Sequence, residues 1–151
     1  MSLTFYYLFI FLLLTTTFFQ AWLTKRHINH VRRNKSKVPA PFSETISIKD
    51  HKKAADYTIS KSYIVITDLF IQAIFLYLIT IGGGINILTD VFGNLTDNKL
   101  LTGSMVIISV MLISSLIDLP LSIYKIFNID EKFGFNRMTF KIFITDLIKQ
   151  S

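Results

Sequence analysis

Two aspartates, Asp68 and Asp118, lie inside long apolar stretches and are the first candidates for chemistry. A carboxylate near the centre of a membrane helix costs about 2.5 to 3.5 kcal/mol, so such residues normally face protein or water. Two carboxylates that share one proton can act as an acid and a base in peptide hydrolysis. The sequences around the two aspartates, ITDLF and LIDLP, lack the Tyr-Asp and Gly-x-Gly-Asp motifs expected of such a dyad. We therefore favour packing or cavity lining, with acid chemistry as the minor alternative.

Other polar residues follow the two aspartates at helical spacing. Gln72 falls one turn after Asp68, and Ser115 and Ser122 share a helix face with Asp118. Small and polar residues of this kind commonly line helix contacts in membranes. We expect Asp68, Gln72 and Asp118 to face inward, close to one membrane surface.

The three histidines are poor candidates for a metal site. His27 and His30 are three residues apart, but neighbouring cations such as Lys25 and Arg26 disfavour a divalent ion. His51 stands alone, and no HExxH motif supplies two ligands and a base on one helix. We expect solvated or headgroup-facing histidines, and neither metal nor cofactor in this chain.

Three apolar runs are each long enough to cross a bilayer, whose hydrocarbon core of about 30 Å takes about 20 helical residues. They are residues 3–23, residues 63–81, which stop at a Gly-Gly-Gly sequence, and residues 103–127, which Pro120 should kink. The chain of 151 residues is 51% hydrophobic and only 17% charged. These features predict an all-α protein, an integral membrane helical bundle with three transmembrane helices plus a cytoplasmic helix.

Basic residues predict the orientation of the bundle. Of 16 Lys and Arg, ten lie between the first and second runs, one between the second and third, and five from Lys125 onward. The positive-inside rule then places the loop of residues 24–62 and the C-terminus in the cytoplasm, and the N-terminus and residues 82–102 outside. The membrane is the bacterial inner membrane or that of the endoplasmic reticulum.

The basic loop has two explanations. It fixes the topology, which we favour, or it binds anionic lipid headgroups. We expect the lipid bilayer as a partner and no nucleic acid. Within the loop, Ser47 and Asp50 predict a helix start that continues into the second run, and VPAPF, residues 38–42, should be extended.

Two short segments carry a family resemblance. They are HKKAADYT, residues 51–58, and IDEKFGFN, residues 129–136. Residues 38–149 resemble the N-terminal membrane domain of the CAAX prenyl protease 1 family. The members of this family are zinc metalloendopeptidases of the HExxH class. The family usually has two glutamates before the lysine of the second segment, so Asp130 departs conservatively and Glu131 matches. The motif residues are His51, Lys53, Asp56, Tyr57, Asp130, Glu131, Lys132, Phe133, Gly134, Phe135 and Asn136.

The second motif follows the third apolar run. Asp130 and Glu131 can be hydrated there, while Gly134 permits a tight turn that returns Phe133 and Phe135 to apolar surroundings. In a full-length relative, we expect this turn to brace the cytoplasmic mouth.

The resemblance also implies what this chain lacks. In the family, zinc is held by HExxH on a later helix and by a distant glutamate, and the substrates are prenylated C-terminal CAAX peptides. None of those positions occurs here, so we expect no catalytic or metal-binding residues and no protease activity from this polypeptide alone. Zinc belongs to full-length relatives, and a prenylated or membrane-associated peptide would bind only the complete enzyme.

The leading interpretation is therefore an N-terminal transmembrane portion that forms part of an intramembrane chamber, with a catalytic metalloprotease half as a partner. The alternative is a stand-alone small integral membrane protein that acts as an assembly or regulatory partner. Co-purification with a different membrane protein, and never with a catalytic half, would favour the alternative.

Overall fold

Helices account for all the regular structure in the computed structural model, which describes residues 3–136 and 138–150. The five α-helices are α1 (Leu3–Asn34), α2 (Ile48–Thr80), α3 (Gly84–Gly93), α4 (Lys99–Tyr124) and α5 (Phe140–Gln150). A short 3-10 helix, Ala40–Phe42, lies between α1 and α2, and a π-helix, Lys125–Asp130, continues α4. The prediction of an all-α fold is confirmed.

Three of these elements are long and apolar enough to cross a membrane: α1, α2 and the combined helix Lys99–Asp130. In their most apolar stretches only 6%, 6% and 11% of the residues are buried inside the protein. So much exposed apolar surface requires a nonaqueous surrounding, because water would penalise it at about 25 cal/mol per Å². The prediction of three membrane helices is confirmed, although each helix extends beyond the apolar run that indicated it.

Helices α1 and α2 run antiparallel and pack along each other. The His51 ring lies 3.2 Å from the Asn34 carbonyl oxygen, and farther along α2 the Tyr63 hydroxyl accepts a hydrogen bond of 3.1 Å from Arg32. Ile28 of α1 is only 2% exposed, and Ala55 on α2 is also buried. Small or aliphatic side chains such as these two let helices approach closely.

The start of α2 agrees with the sequence. The Ser47 side chain accepts a hydrogen bond of 3.1 Å from the backbone N–H of Asp50, which satisfies one of the free donors of the first turn. From there α2 runs for 33 residues without interruption, so the predicted cytoplasmic helix and the second membrane helix are one element.

Residues 38–42 differ from the extended conformation that we predicted. Pro39 is extended, with ψ at 140°, but Ala40–Phe42 forms a 3-10 helix. The backbone N–H of Phe42 donates to the carbonyl of Pro39 at 2.9 Å and closes this turn. Pro41 disfavours a helical conformation at Ala40, the residue before it. The hydrogen bond that closes the 3-10 turn outweighs this preference.

The segment between α2 and α4, predicted as a loop, contains the helix α3. Gly83 precedes it with φ at +85°, a left-handed conformation that glycine adopts without steric cost. Asn98 then caps α4 by accepting a hydrogen bond of 3.0 Å from the N–H of Leu100. Pro120 lies inside α4, which continues past it to Tyr124.

Candidate functional site

The two motif segments meet at a contact between α2 and the end of the π-helix. The Tyr57 hydroxyl donates a hydrogen bond of 2.8 Å to the Asp130 carboxylate. The Tyr57 ring also packs on two aromatic rings, with centroid distances of 5.6 Å to Phe133 and 4.7 Å to Phe135. Aromatic pairs at these distances stabilise a contact by about 0.5–1.5 kcal/mol beyond their buried area. We call this group of four residues the Tyr57 cluster.

A Schellman turn holds the aromatic residues of the Tyr57 cluster in place. The Asp130 carbonyl accepts the N–H of Phe135 at 2.7 Å and that of Asn136 at 3.0 Å, and the Glu131 carbonyl accepts the N–H of Gly134 at 2.9 Å. Gly134 has φ at +70°, as the turn requires. Asp130 therefore makes two kinds of contact. Its backbone oxygen accepts hydrogen bonds within the turn, and its carboxylate accepts the hydrogen bond from Tyr57.

Phe133 and Phe135 differ in burial. Phe133 is buried at 9% exposure, as we expected of an apolar environment, but Phe135 remains 50% exposed. One face of Phe135 lies on Tyr57, and the Lys53 ammonium lies 5.5 Å from the ring centroid of Phe135. A cation at that distance from an aromatic ring is attracted to its π-electrons.

Lys53, Tyr57 and Lys61 follow one stripe of α2 at four-residue spacing, and the Lys61 ammonium lies 5.1 Å from the Tyr57 ring centroid. Tyr57 precedes the apolar part of α2, which begins at residue 63. Burial raises the pKa of the Tyr57 phenol above its usual value, and the hydrogen bond and negative charge of Asp130 raise this pKa further. Tyr57 is therefore held in the protonated form that donates to Asp130.

The remaining residues of the first motif contact the end of α1. The Lys35 ammonium forms an ion pair with the Asp56 carboxylate at 2.6 Å, and His51 contacts Asn34. The side chains of Lys35 and Asp56 are 33% and 45% exposed, so water and salt weaken their attraction. The first motif thus connects α1 on one side with the Tyr57 cluster on the other.

Three residues of the second motif have peripheral positions. Glu131 is exposed, and the Lys132 ammonium lies 5.9 Å from the ring centroid of Phe133. The Asn136 side chain accepts a hydrogen bond of 2.7 Å from the N–H of Met138, which fixes the chain after the turn. Their contacts are local, unlike the long-range contact that Asp130 makes.

A second polar group joins α2 to α4 within the membrane-spanning part. The Gln72 amide donates a hydrogen bond to the Asp118 carboxylate. Asp68 and Asp118 both line an open cavity of about 300 Å³, with Lys61 and Lys125 also in its lining. The structure thus brings together the three intramembrane polar residues that the sequence singled out.

Asp118 also lines a second cavity of about 300 Å³, between α4 and α5. Ser115 and Ser122 lie in the same lining, as their common helix face predicts. Asp146 of α5 lines this cavity as well, and sequence reasoning missed it. The available signal was its position three residues after the apolar Phe143, because that spacing places both residues on one side of a helix.

The described residues do not fit a zinc ion. Within them, no group of three or more His, Asp or Glu side chains is arranged to hold a metal. His27 and His30 lie on α1 among basic residues, and His51 contacts a backbone oxygen. We therefore derive no chemical step through a metal from these side chains.

Residues 27–151 match a known family, described as CAAX prenyl protease N-terminal, five membrane helices. A probable CAAX prenyl protease 1 of Schizosaccharomyces pombe is 30% identical over 143 residues, which cover 85% of this chain and 30% of that protein. The CAAX prenyl protease 1 of Saccharomyces cerevisiae is 57% identical over 37 residues, 24% of this chain and 8% of that protein. A homolog from Oryza sativa subsp. japonica is 42% identical over 53 residues, 35% of this chain and 12% of that protein.

The chain thus spans less than a third of the length of the curated relatives it matches. No solved structure matches it.

Proposed function

This chain belongs to the CAAX prenyl protease family through its N-terminal membrane domain, and from that membership we propose that it forms part of the wall of an intramembrane chamber. In the complete protease, the chamber would receive a prenylated CAAX peptide. The residues of this chain would shape and hydrate the chamber, while zinc held elsewhere would supply the activated water.

The contact between Gln72 and Asp118 is the observation that carries the proposal. A carboxylate at this depth is costly in lipid, and here it is hydrogen-bonded and lines a cavity on each of two sides. A peptide that enters a membrane needs water or polar side chains for its backbone groups. Asp68 and Asp118 provide a polar lining that fits that requirement, and Gln72 is hydrogen-bonded to Asp118.

The Tyr57 cluster has a supporting role in this proposal. It ties α2 to the end of the third membrane helix, next to the cavity that Lys61 and Lys125 line. We therefore assign to Tyr57 and Asp130 the bracing of the chamber mouth, and no catalytic step.

The proposed orientation places this mouth in the cytoplasm. The contact between Tyr57 and Asp130 brings the first loop and the start of the C-terminal tail to the same end of the bundle. Fifteen of the 16 Lys and Arg belong to the segments at that end, the ten of the first loop and the five from Lys125 onward. The yeast and plant origin of the relatives favours the endoplasmic reticulum over a bacterial membrane.

The reactivity of an introduced cysteine tests whether water reaches the cavity lined by Asp118 and Ser122. The chain has no cysteine, so a single introduced thiol is the only reactive group in the bilayer-reconstituted protein. We expect Ser122→Cys to react with a membrane-impermeant thiol reagent added to the cytoplasmic side, because thiolates form in water. The matched control is Leu116→Cys, since Leu116 is 63% exposed on α4 and lines neither cavity. Equal reactivity at both positions would contradict a hydrated chamber.

A chimera tests the role in proteolysis. The segment of the Schizosaccharomyces pombe relative that aligns with this chain is replaced by this chain, and cleavage of a prenylated CAAX peptide is measured. We expect the chimera to cleave and its Asp118→Leu variant to lose most activity. A chimera that folds and reaches the membrane without any cleavage would remove the support for a chamber role.

A further inference from the structure

One surface of α1 concentrates positive charge where that helix leaves the apolar part of the membrane. An open cavity of about 490 Å³ on this surface is lined by Trp22, Lys25, Arg26, Asn29, His30 and Arg33. At 100° per residue, these six positions fall within an arc of about 140° on the helix. We call this arc the basic face.

The basic face points away from α2, the helix that packs on α1. Ile28, which packs on α2, lies on the other side of α1, and Thr17 is buried on that same side. Lys25, Arg26 and Arg33 are all exposed. The side chains of the basic face are thus free to contact molecules beside the helix.

The depth of the basic face matches the headgroup layer. Trp22 follows Leu3 by 19 residues, a rise of about 28 Å that equals one hydrocarbon thickness. Tryptophan is enriched at this boundary. Lys25 and Arg26 then lie about 4 to 6 Å beyond it, within the headgroup region.

No ion pair with a described carboxylate neutralises the charge of the basic face. Among the described residues, the ion pair formed by α1 and the adjoining loop is that between Lys35 and Asp56, outside the basic face. Arg26 lies over the Trp22 ring, with its guanidinium carbon 5.6 Å from the ring centroid. The first carboxylate in the sequence is Glu44, so α1 itself contains no acidic side chain that could pair with the basic face.

We propose that the basic face is a binding site for the phosphate of an anionic phospholipid headgroup. Arg26 and Lys25 contact the phosphate, and Trp22 packs on the glycerol and upper acyl region. A guanidinium binds phosphate oxygens through two parallel N–H donors, which suits Arg26. The positive-inside rule requires only a number of charges and not one helix face, so the arrangement indicates a site in addition to a topology signal.

Trp22 allows a direct test, because it is the only tryptophan of the chain. The full chain is reconstituted in vesicles, and quenching of Trp22 fluorescence by brominated phosphatidylglycerol is compared with quenching by brominated phosphatidylcholine. We expect the anionic lipid to be preferred about fivefold for each basic side chain that contributes. High salt should reduce the preference, because it screens exposed charges. Equal quenching by both lipids would overturn the proposal.

Two double variants separate a site from general surface charge. Lys25→Gln with Arg26→Gln removes both proposed phosphate contacts and should abolish most of the preference. Lys49→Gln with Lys52→Gln removes the same charge from exposed positions outside the basic face and should leave the preference intact. An equal loss in both would overturn the proposal. A change of Trp22 emission on adding inorganic phosphate to phosphatidylcholine vesicles would identify a soluble phosphate ligand, which would also overturn it.

Discussion

Tyr57 and Asp130 are 73 residues apart in the sequence, and the Tyr57 hydroxyl donates to the Asp130 carboxylate at 2.8 Å. This hydrogen bond makes one structural unit of the two segments on which the family resemblance rests. One segment begins α2, and the other ends the third membrane helix. The two motif segments therefore form a specific contact between α2 and the end of the third membrane helix.

The first prediction concerns the strength of that contact. Tyr57→Phe leaves the aromatic packing and removes the hydrogen bond, so the free energy of unfolding in detergent should fall by about 1.5–3 kcal/mol, as for other bonds to charged groups. Tyr63→Phe is the matched control, because Tyr63 is 51% exposed and its hydroxyl contacts Arg32 at the surface. The free energy of unfolding should fall less in Tyr63→Phe than in Tyr57→Phe. Equal losses would contradict a special role for Tyr57.

The second prediction concerns alkaline pH. The folded protein holds the Tyr57 proton more tightly than the unfolded chain does, since burial and Asp130 raise the pKa of Tyr57. The resulting stabilisation is present below the ordinary tyrosine pKa of about 10 and is lost as the pH rises through the higher pKa of the folded state. Absorbance at 295 nm should show the late titration of Tyr57, and Tyr57→Phe should lack this late step. A late step of unchanged amplitude in Tyr57→Phe would contradict the prediction.

The third prediction uses two glycines with opposite expectations. Gly134→Ala should lower the unfolding free energy by about 1–2 kcal/mol, because an L-residue is strained at positive φ. An added Cβ would lie 3.6 Å from the Lys53 ammonium, an ordinary contact, so a clash is not the cause. Gly103→Ala within α4 has open space around the Cβ and should be neutral or stabilising. The measurement is thermal unfolding of both variants in the same detergent. Equal shifts in the unfolding temperature would contradict backbone strain at Gly134 as the cause.

The fourth prediction concerns the contact between α2 and α4. Gln72→Leu leaves the Asp118 carboxylate without its donor and should destabilise the protein by about 1–3 kcal/mol. Gln72→Leu combined with Asp118→Leu should recover much of that loss, because two apolar partners leave no unsatisfied group. The double-mutant cycle measures this coupling from chemical unfolding in detergent. Additive losses would mean that the two side chains do not interact.

Local physics explains which features the sequence could predict. Hydropathy alone indicates three membrane helices, the Ser47 cap follows from a side chain and a backbone donor three residues apart, and the Gly134 turn follows from one residue type. These features involve neighbours in the chain. The structure agrees with all three.

The sequence did not reveal one contact between distant residues or two local helical segments. The bond from Gln72 to Asp118 spans 46 residues, and only the packing of α2 against α4 selects this partner. The helix α3 was missed because its flanking glycines indicated a break, while the apolar spacing between them was the signal for a helix. The 3-10 turn at Ala40–Phe42 also depends on a hydrogen bond that proline rules do not include.

The π-helix of Lys125–Asp130 makes the end of the third membrane helix sensitive to chain length. Its hydrogen bonds join residues five apart, so each of its turns holds more residues than an α-helical turn. A deletion of one residue would allow ordinary α-helical bonding, yet would rotate everything downstream about the axis and carry the acceptor carboxylate away from its phenol. Homologous chains should therefore vary in amino-acid identity along this stretch far more freely than in the number of residues.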